Sequence, residues 1–421
     1  MTEDRRVIDT KLSNDIRVVT EEIPGAKSVA LGLWTNVGSR DEKKEFSGYS
    51  HFLEHLLFKG TTKKTSKEIS TIIEAKGGYL NAFTDRDMTC FHARVLKKDM
   101  ESAIDVLSDV VQNPLLRQED IKKELQVIRS EISRRDDDPE DLIHDLCVEK
   151  AWRGNDAAHS VLGDYDHLTK LSQDSVRKYY KEHYIPANMI LTATGALSHD
   201  EVVDLAEKYL NFQRQGELRT RVKPSLKPGI NFIERKSSQV QISISSEGAA
   251  QGDDLKAPLT LLHSYLGLGS SSKLFQEVRE KQGLVYSIYT NNYSLSDAGL
   301  FTIYAGAKEE NTEKVIQTTL DELEALRNGD ESMNLDEIKH KTTGLTILRS
   351  ESPESRMIQL GITTLRIGKP RTINEIIEEI EGVSLATIMK TSKNIFARER
   401  LSLTILGLSK EIVPRVEALL D

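Results

Sequence analysis

The chain has 421 residues, too many for one comfortable hydrophobic core, so two domains are expected. Hydrophobic residues at 38% and charged residues at 29% exclude a disordered or fibrous class. A net charge of -9 argues against nucleic acid as a partner, because phosphate binding needs a positive face, and favours a cationic peptide instead.

The first residues, Met1-Thr-Glu-Asp-Arg-Arg, are charged and lack the apolar core of a signal peptide. No later apolar run reaches membrane-spanning length, so a cytoplasmic protein with no membrane partner is expected. Cys90 and Cys147 are too few for a disulfide framework and too far apart for a paired-thiolate zinc motif. They read as two buried thiols.

In chain order, residues 28–37, "SVALGLWTNV", predict a strand from their alternation and β-branched content. Residues 48–60, "GYSHFLEHLLFKG", predict a helix of about three turns, with Ser47 as N-cap and Gly60 as stop. Helical periodicity follows in "KEISTIIEAKG" (67–77), "MESAIDVLSDVVQN" (100–113) and "EDIKKELQVIRSEISRR" (119–135). "NMILTATG" (188–195) and "QVQISIS" (239–245) predict further strands. Between them, residues 211–228 are charged, carry two prolines and show no apolar period, which marks a linker.

The order of features on the two sides of that linker is the same. Residues 77–84, "GGYLNAFT", resemble 283–290, "GLVYSIYT", and each precedes a second alternating run, "MTCFHARV" and "GLFTIYAG". Residues 171–210 match 383–420 with the Gly195 and Gly407 turns in step. The expected architecture is α+β: two similar domains, each a mainly antiparallel sheet with helices packed on one face. The boundaries are 1–212 for the first domain, 213–228 for the linker and 229–421 for the second domain.

Within the 48–60 helix, Phe52, Leu53, Leu56 and Leu57 cluster on one side, and His51, Glu54, His55 and Phe58 fall opposite. Four-residue spacing stacks the two imidazoles about 6 Å apart along the axis, which suits two corners of a tetrahedral zinc site. Glu54 projects to the same side, where a base acting on water beside the metal would sit. A solvated polar face is the competing reading, but such faces carry Lys, Glu and Arg rather than two histidines beside a phenylalanine.

A third ligand is available on the 119–135 helix, where Glu124 and Glu131 border the apolar stripe of Ile121, Leu125, Ile128 and Ile132. One of these acids can bind the metal and the other hold a ligand imidazole, and the spacing does not decide which. The repeat is an internal control. Aligning Ile121 on Ile338 puts Lys341 opposite Glu124 and Leu348 opposite Glu131, and the second half lacks the H-x-x-E-H pattern.

"HFLEH", "LNAFTDRDMTCF", Glu124 with Glu131, and "SSSKLFQEVREKQGLVYS" together resemble the pitrilysin/insulinase family of zinc peptidases, the inverzincins. The subgroup they resemble contains mitochondrial processing peptidase and its bacterial relatives, and the resemblance covers nearly the whole chain. It implies a zinc metalloendopeptidase with one Zn2+ per chain, held by His51, His55 and Glu131. Glu54 would be the general base and Glu124 the acid that orients a ligand. Asn81 and Ala82 would lie on the edge strand that binds substrate peptide in extended form. Arg279 and Tyr286 would reach the substrate near the scissile carbonyl.

The resemblance also implies a bacterial homodimer with the site completed in trans inside a closed chamber, acting on peptides, basic ones among them. The alternatives are a non-catalytic core subunit of the same fold, or the catalytic half of a heterodimer. Lys273 stands where relatives often have Arg, and Asp85-Arg86-Asp87 departs from a stretch that often ends in Glu. Both bear on specificity more than on chemistry. The loop "GLGSSSKLF" (267–275) lacks the spacing of a phosphate cradle and reads as a serine-rich helix cap.

Overall fold

The computed structural model describes residues 6–212, 216 and 219–419, so most of the first half of the expected linker lies outside the described residues. Two compact units are present. The first comprises residues up to 132 together with 159–222 and 347–373, and the second comprises 133–158, 223–346 and 374–421.

In the first unit six strands form one sheet: β1 (Val7–Lys11), β2 (Arg17–Glu22), β3 (Ser28–Thr35), β4 (Tyr79–Thr84), β5 (Thr89–Leu96) and β6 (Met189–Gly195). Their order is β1-β2-β6-β3-β5-β4, and only β2 and β6 pair in parallel. β3 sits inside the sheet, and its side chains divide between two cores. Val29, Leu31 and Leu33 join the core beneath the helices, with Phe52, Leu56, Ile69, Ile104 and Ile128. Ala30 and Trp34 enter a second core with Cys90, Ile190 and Met357. A strand apolar at nearly every position is one buried on both faces.

The cover over that second face is the Pro353–Ile367 helix, which comes from far along the chain. It lies so close that a Cβ on Gly361 would stand 2.2 Å from the Trp34 ring, so only glycine fits there. Arg356 anchors the helix by donating to Glu21 Oε2 at 2.6 Å and to Arg371 O at 2.8 Å, with both charged side chains essentially fully buried.

The second unit repeats the plan with β7 (Gly229–Ile233), β8 (Val240–Gly248), β9 (Val285–Ser294), β10 (Gly299–Ala307) and β11 (Ser402–Leu406). Here the order is β7-β11-β8-β10-β9, and only β7 and β11 run parallel. The Lys256–Gly267, Thr312–Asn328 and Leu385–Ile395 helices supply the main core with Ile242, Ile244 and Ile303. The Pro139–Ala151 helix packs against β8 and β11. Its Ile143 meets Tyr304 and Leu406, and the small buried residues Ser243, Ser245 and Thr404 leave room for it on that face. Gly195 and Gly407, aligned by the repeat, end β6 and β11 with φ of +118° and +93°.

All strands of each sheet therefore come from one side of residues 213–228, as do the helices of each main layer. Residues 133–158 and 347–373 cross to the other unit. Nothing in their amphipathic pattern names the sheet they cover, which is why sequence halves and compact units differ.

Candidate metal centre

The helix that carries the two histidines spans Tyr49–Leu57 and starts from Gly48, held at φ +95°. Ser47 is not its cap. Buried Glu42 accepts from the Gly48 and Ser50 amides, both at 2.6 Å, so one carboxyl group meets two donors where a serine hydroxyl would meet one. Ser50 Oγ lies 2.7 Å from Tyr179 OH, which ties the same turn to the Gln173–His183 helix. Phe52, Leu53, Leu56 and Leu57 are buried on the core side, and this leaves His51 and His55 on the other. Their rings are 4.8 Å apart.

Burial pushes the Glu42 carboxyl up to about 8. A carboxyl raised in the folded state adds stability that is full below about pH 4.5 and is lost as pH rises through about 8. Thermal melts from pH 4.5 to 8.5 should therefore show wild type losing stability relative to Glu42→Gln as pH increases. A constant difference between the two would contradict the assignment.

Glu131, on the Gln118–Asp137 helix, places Oε2 at 3.7 Å from Nε2 of both His51 and His55. The three ligand atoms lie within 4.8 Å of one another, and among the described residues this is the group that can hold a metal ion. Donors about 2.0–2.1 Å from a shared tetrahedral centre stand roughly 3.4 Å apart, so the two 3.7 Å separations from Glu131 suit zinc and the histidine nitrogens have to draw together around it.

The two histidines sit in different electrostatic settings. Burial, then the His55 charge, pushes His51 down to about 3, which keeps it in the neutral form that binds metal. His55 Nδ1 is 3.2 Å from Glu124 Oε2, so its Nδ1 proton is engaged and its Nε2 faces Glu131. Burial opposes charge on His55, but the hydrogen bond to Glu124 and the charges of Glu131, Glu54 and Glu124 outweigh it and raise its pKa. Lys59 Nζ holds the other Glu124 oxygen at 2.8 Å. Burial would raise the Glu124 carboxyl, yet His55 and Lys59 hold it below the ordinary range.

Glu54 stays outside the His51, His55 and Glu131 cluster. Its Oε2 accepts from Thr84 Oγ1 at 2.6 Å, and burial raises its pKa. Asn81 and Ala82 lie on β4, which is an edge of the first sheet. The Asn81 Oδ1 accepts the Ala82 amide at 2.9 Å, so the side chain covers part of that edge.

Arg279 and Tyr286 belong to the second unit and form a pair of their own. The guanidinium lies 5.6 Å from the Tyr286 ring, and the tyrosine is 74% exposed. Lys273 stands among Glu277, Glu322 and Asp330 at 3.5–3.8 Å, an ion cluster that explains the charge at that position. Asp87, fully buried, meets Arg40, Arg366 and Arg221 at 3.0–3.4 Å and joins the β4–β5 turn to the expected linker's described end.

In the second half, Lys341 donates to the carbonyls of Ser264 and Leu268, and Leu348 is 63% exposed. The positions aligned with Glu124 and Glu131 thus cap a helix and face solvent. Glu42, Lys59 and Thr84 were not legible as site residues. They are ordinary residue types whose roles arise from contacts made across the fold.

The model of the insulinase family, peptidase family M16, matches residues 17–165, and that of the peptidase M16 inactive domain matches residues 170–342. A relative from Streptomyces coelicolor, described as an uncharacterized zinc protease, is 34% identical over 96% of this chain and 90% of its own. Another so described, from Bacillus subtilis, is 32% identical over 92% and 95%. The solved structure of a protease from Helicobacter pylori has the same fold, with a TM-score of 0.88 at 20% identity over 96% of this chain and 99% of that one.

Proposed function

Because the chain belongs to the insulinase family of peptidases, family M16, we propose that it is a zinc-dependent endopeptidase that hydrolyses peptides or unfolded segments. The observation that carries this reading is the convergence of His51, His55 and Glu131, with Glu54 beside them and Glu124 holding His55. His51, His55 and Glu131 hold one Zn2+ per chain. When bound, the metal supplies Lewis acidity toward water and toward the scissile carbonyl.

Glu54 takes the proton of the attacking water and returns it to the leaving amine nitrogen. Glu124 fixes the His55 ring through Nδ1. The β4 edge around Asn81 and Ala82 pairs with substrate main chain once the Asn81 side chain yields the Ala82 amide. Arg279 and Tyr286 donate to the developing oxyanion. They come from the second unit of a partner chain in a homodimer whose chamber admits unfolded peptides. A cytoplasmic bacterial enzyme with no nucleic-acid or membrane partner fits this reading. Among the described residues no helix is long and apolar enough to cross a membrane.

The test is cleavage of a quenched basic peptide by the purified chain, which should elute as a dimer, before and after chelation. Activity should vanish on chelation and return with zinc. Activity that survives full metal removal would refute the reading, and an inactive monomer would point to a missing partner chain.

A further inference from the structure

The contact between Glu54 and Thr84 does more than bury a carboxylate. Thr84 is the last residue of β4 and pairs with Thr89 across the β4–β5 ladder. Thr89 Oγ1 donates its proton to Val37 O at 2.9 Å and lies 3.4 Å from Thr84 Oγ1. A hydroxyl has a single proton. With the Thr89 proton engaged elsewhere, the Thr84 proton goes to Glu54 Oε2 at 2.6 Å, a short bond of the charge-assisted kind. Accepting that bond draws basicity from Oε2, so Oε1 is the more basic oxygen toward the proton released by water.

We propose that Thr84 is a positioning residue that selects Oε1 of Glu54 as the basic oxygen and ties it to the end of the edge strand. The base and the β4 edge then share one rigid element, and a peptide paired with that edge is registered against Oε1. Proton transfer requires heavy-atom distances near hydrogen-bond length, so loss of this orientation acts on the chemical step rather than on peptide binding. The inference rests on the proposed reading of Glu54 as the base.

The test compares wild type, Thr84→Val and Thr84→Ser in kinetics, zinc content and crystal structure, the crystals grown without metal. Valine keeps the branched shape but has no donor, and serine restores the donor. Thr84→Val should lower kcat by about 10–100-fold, the usual loss when a group orienting a site residue is removed. KM and zinc content should stay at wild-type values, and Thr84→Ser should recover most of kcat. In Thr84→Val crystals the Glu54 carboxylate should leave its wild-type orientation.

Wild-type kcat in Thr84→Val, a serine variant as slow as valine, or an unmoved Glu54 would overturn the proposal. So would a rise in KM with kcat intact. If valine is not accommodated, Thr84→Ala carries the same expectations. If wild type itself does not cleave the peptide, the functional reading fails, and the crystal comparison still decides whether Thr84 orients Glu54.

Discussion

Glu54→Gln lowers kcat by about 100- to 10,000-fold, the range expected when a general base is removed. Glutamine keeps the length and shape of the side chain, and its carbonyl oxygen still accepts the Thr84 hydroxyl, so the helix and the edge strand stay in place. The amide cannot take a proton from water at neutral pH. Glu54 lies outside the triad of His51, His55 and Glu131, so the variant should retain zinc at the wild-type level and bind peptide with unchanged KM. Steady-state kinetics with metal analysis on the same preparation checks both halves. Wild-type kcat in the variant would remove Glu54 from the mechanism, and loss of zinc would make it a ligand instead.

Arg356→Met destabilises the folded chain by about 3–5 kcal/mol, because it removes one member of a buried ion pair with Glu21. The pair is essentially fully buried, with Arg356 also bonded to Gln359 and Arg371. Removing one partner takes away the guanidinium that faces this buried carboxylate. Replacing both with apolar residues of similar volume, as in Glu21→Leu/Arg356→Met, should recover much of the loss. Urea midpoints of wild type, the single variant and the double variant test this. A single variant as stable as wild type would show that the Arg356–Glu21 pair adds nothing net and that the helix is held by its other contacts, Met357 against Trp34 and Arg366 with Asp87 among them.

Much of the fold is legible in local pattern. The period-2 runs at residues 28–37, 188–195 and 239–245 are strands, and the internal repeat matches β4 to β9 and the turn at Gly195 to that at Gly407. The exchange of the Pro139–Ala151 and Pro353–Ile367 helices is not legible. An amphipathic stripe states that a helix is covered and not by which sheet. The apolar content of β3 on both faces was the available sign that a second layer existed.

At the site, His51 and His55 are readable because residue types that bind metals are few and their spacing is strict, whereas spacing offers Glu124 and Glu131 equally and only the family resemblance singles out Glu131. Glu42 and Thr84 are not readable, because each acts through one contact with a residue distant in sequence, and Glu and Thr are common everywhere. Ser47 shows the converse. A helix-capping residue type in the expected position lost its role to the buried Glu42 carboxyl group, which offers two oxygens.

The most direct measurement of the central claim is the zinc content of the chain purified without added metal or chelator. About one zinc per chain is expected, the capacity of a single set of three protein ligands with one position open to water. A natively folded chain that carries no zinc and binds none on titration would contradict it.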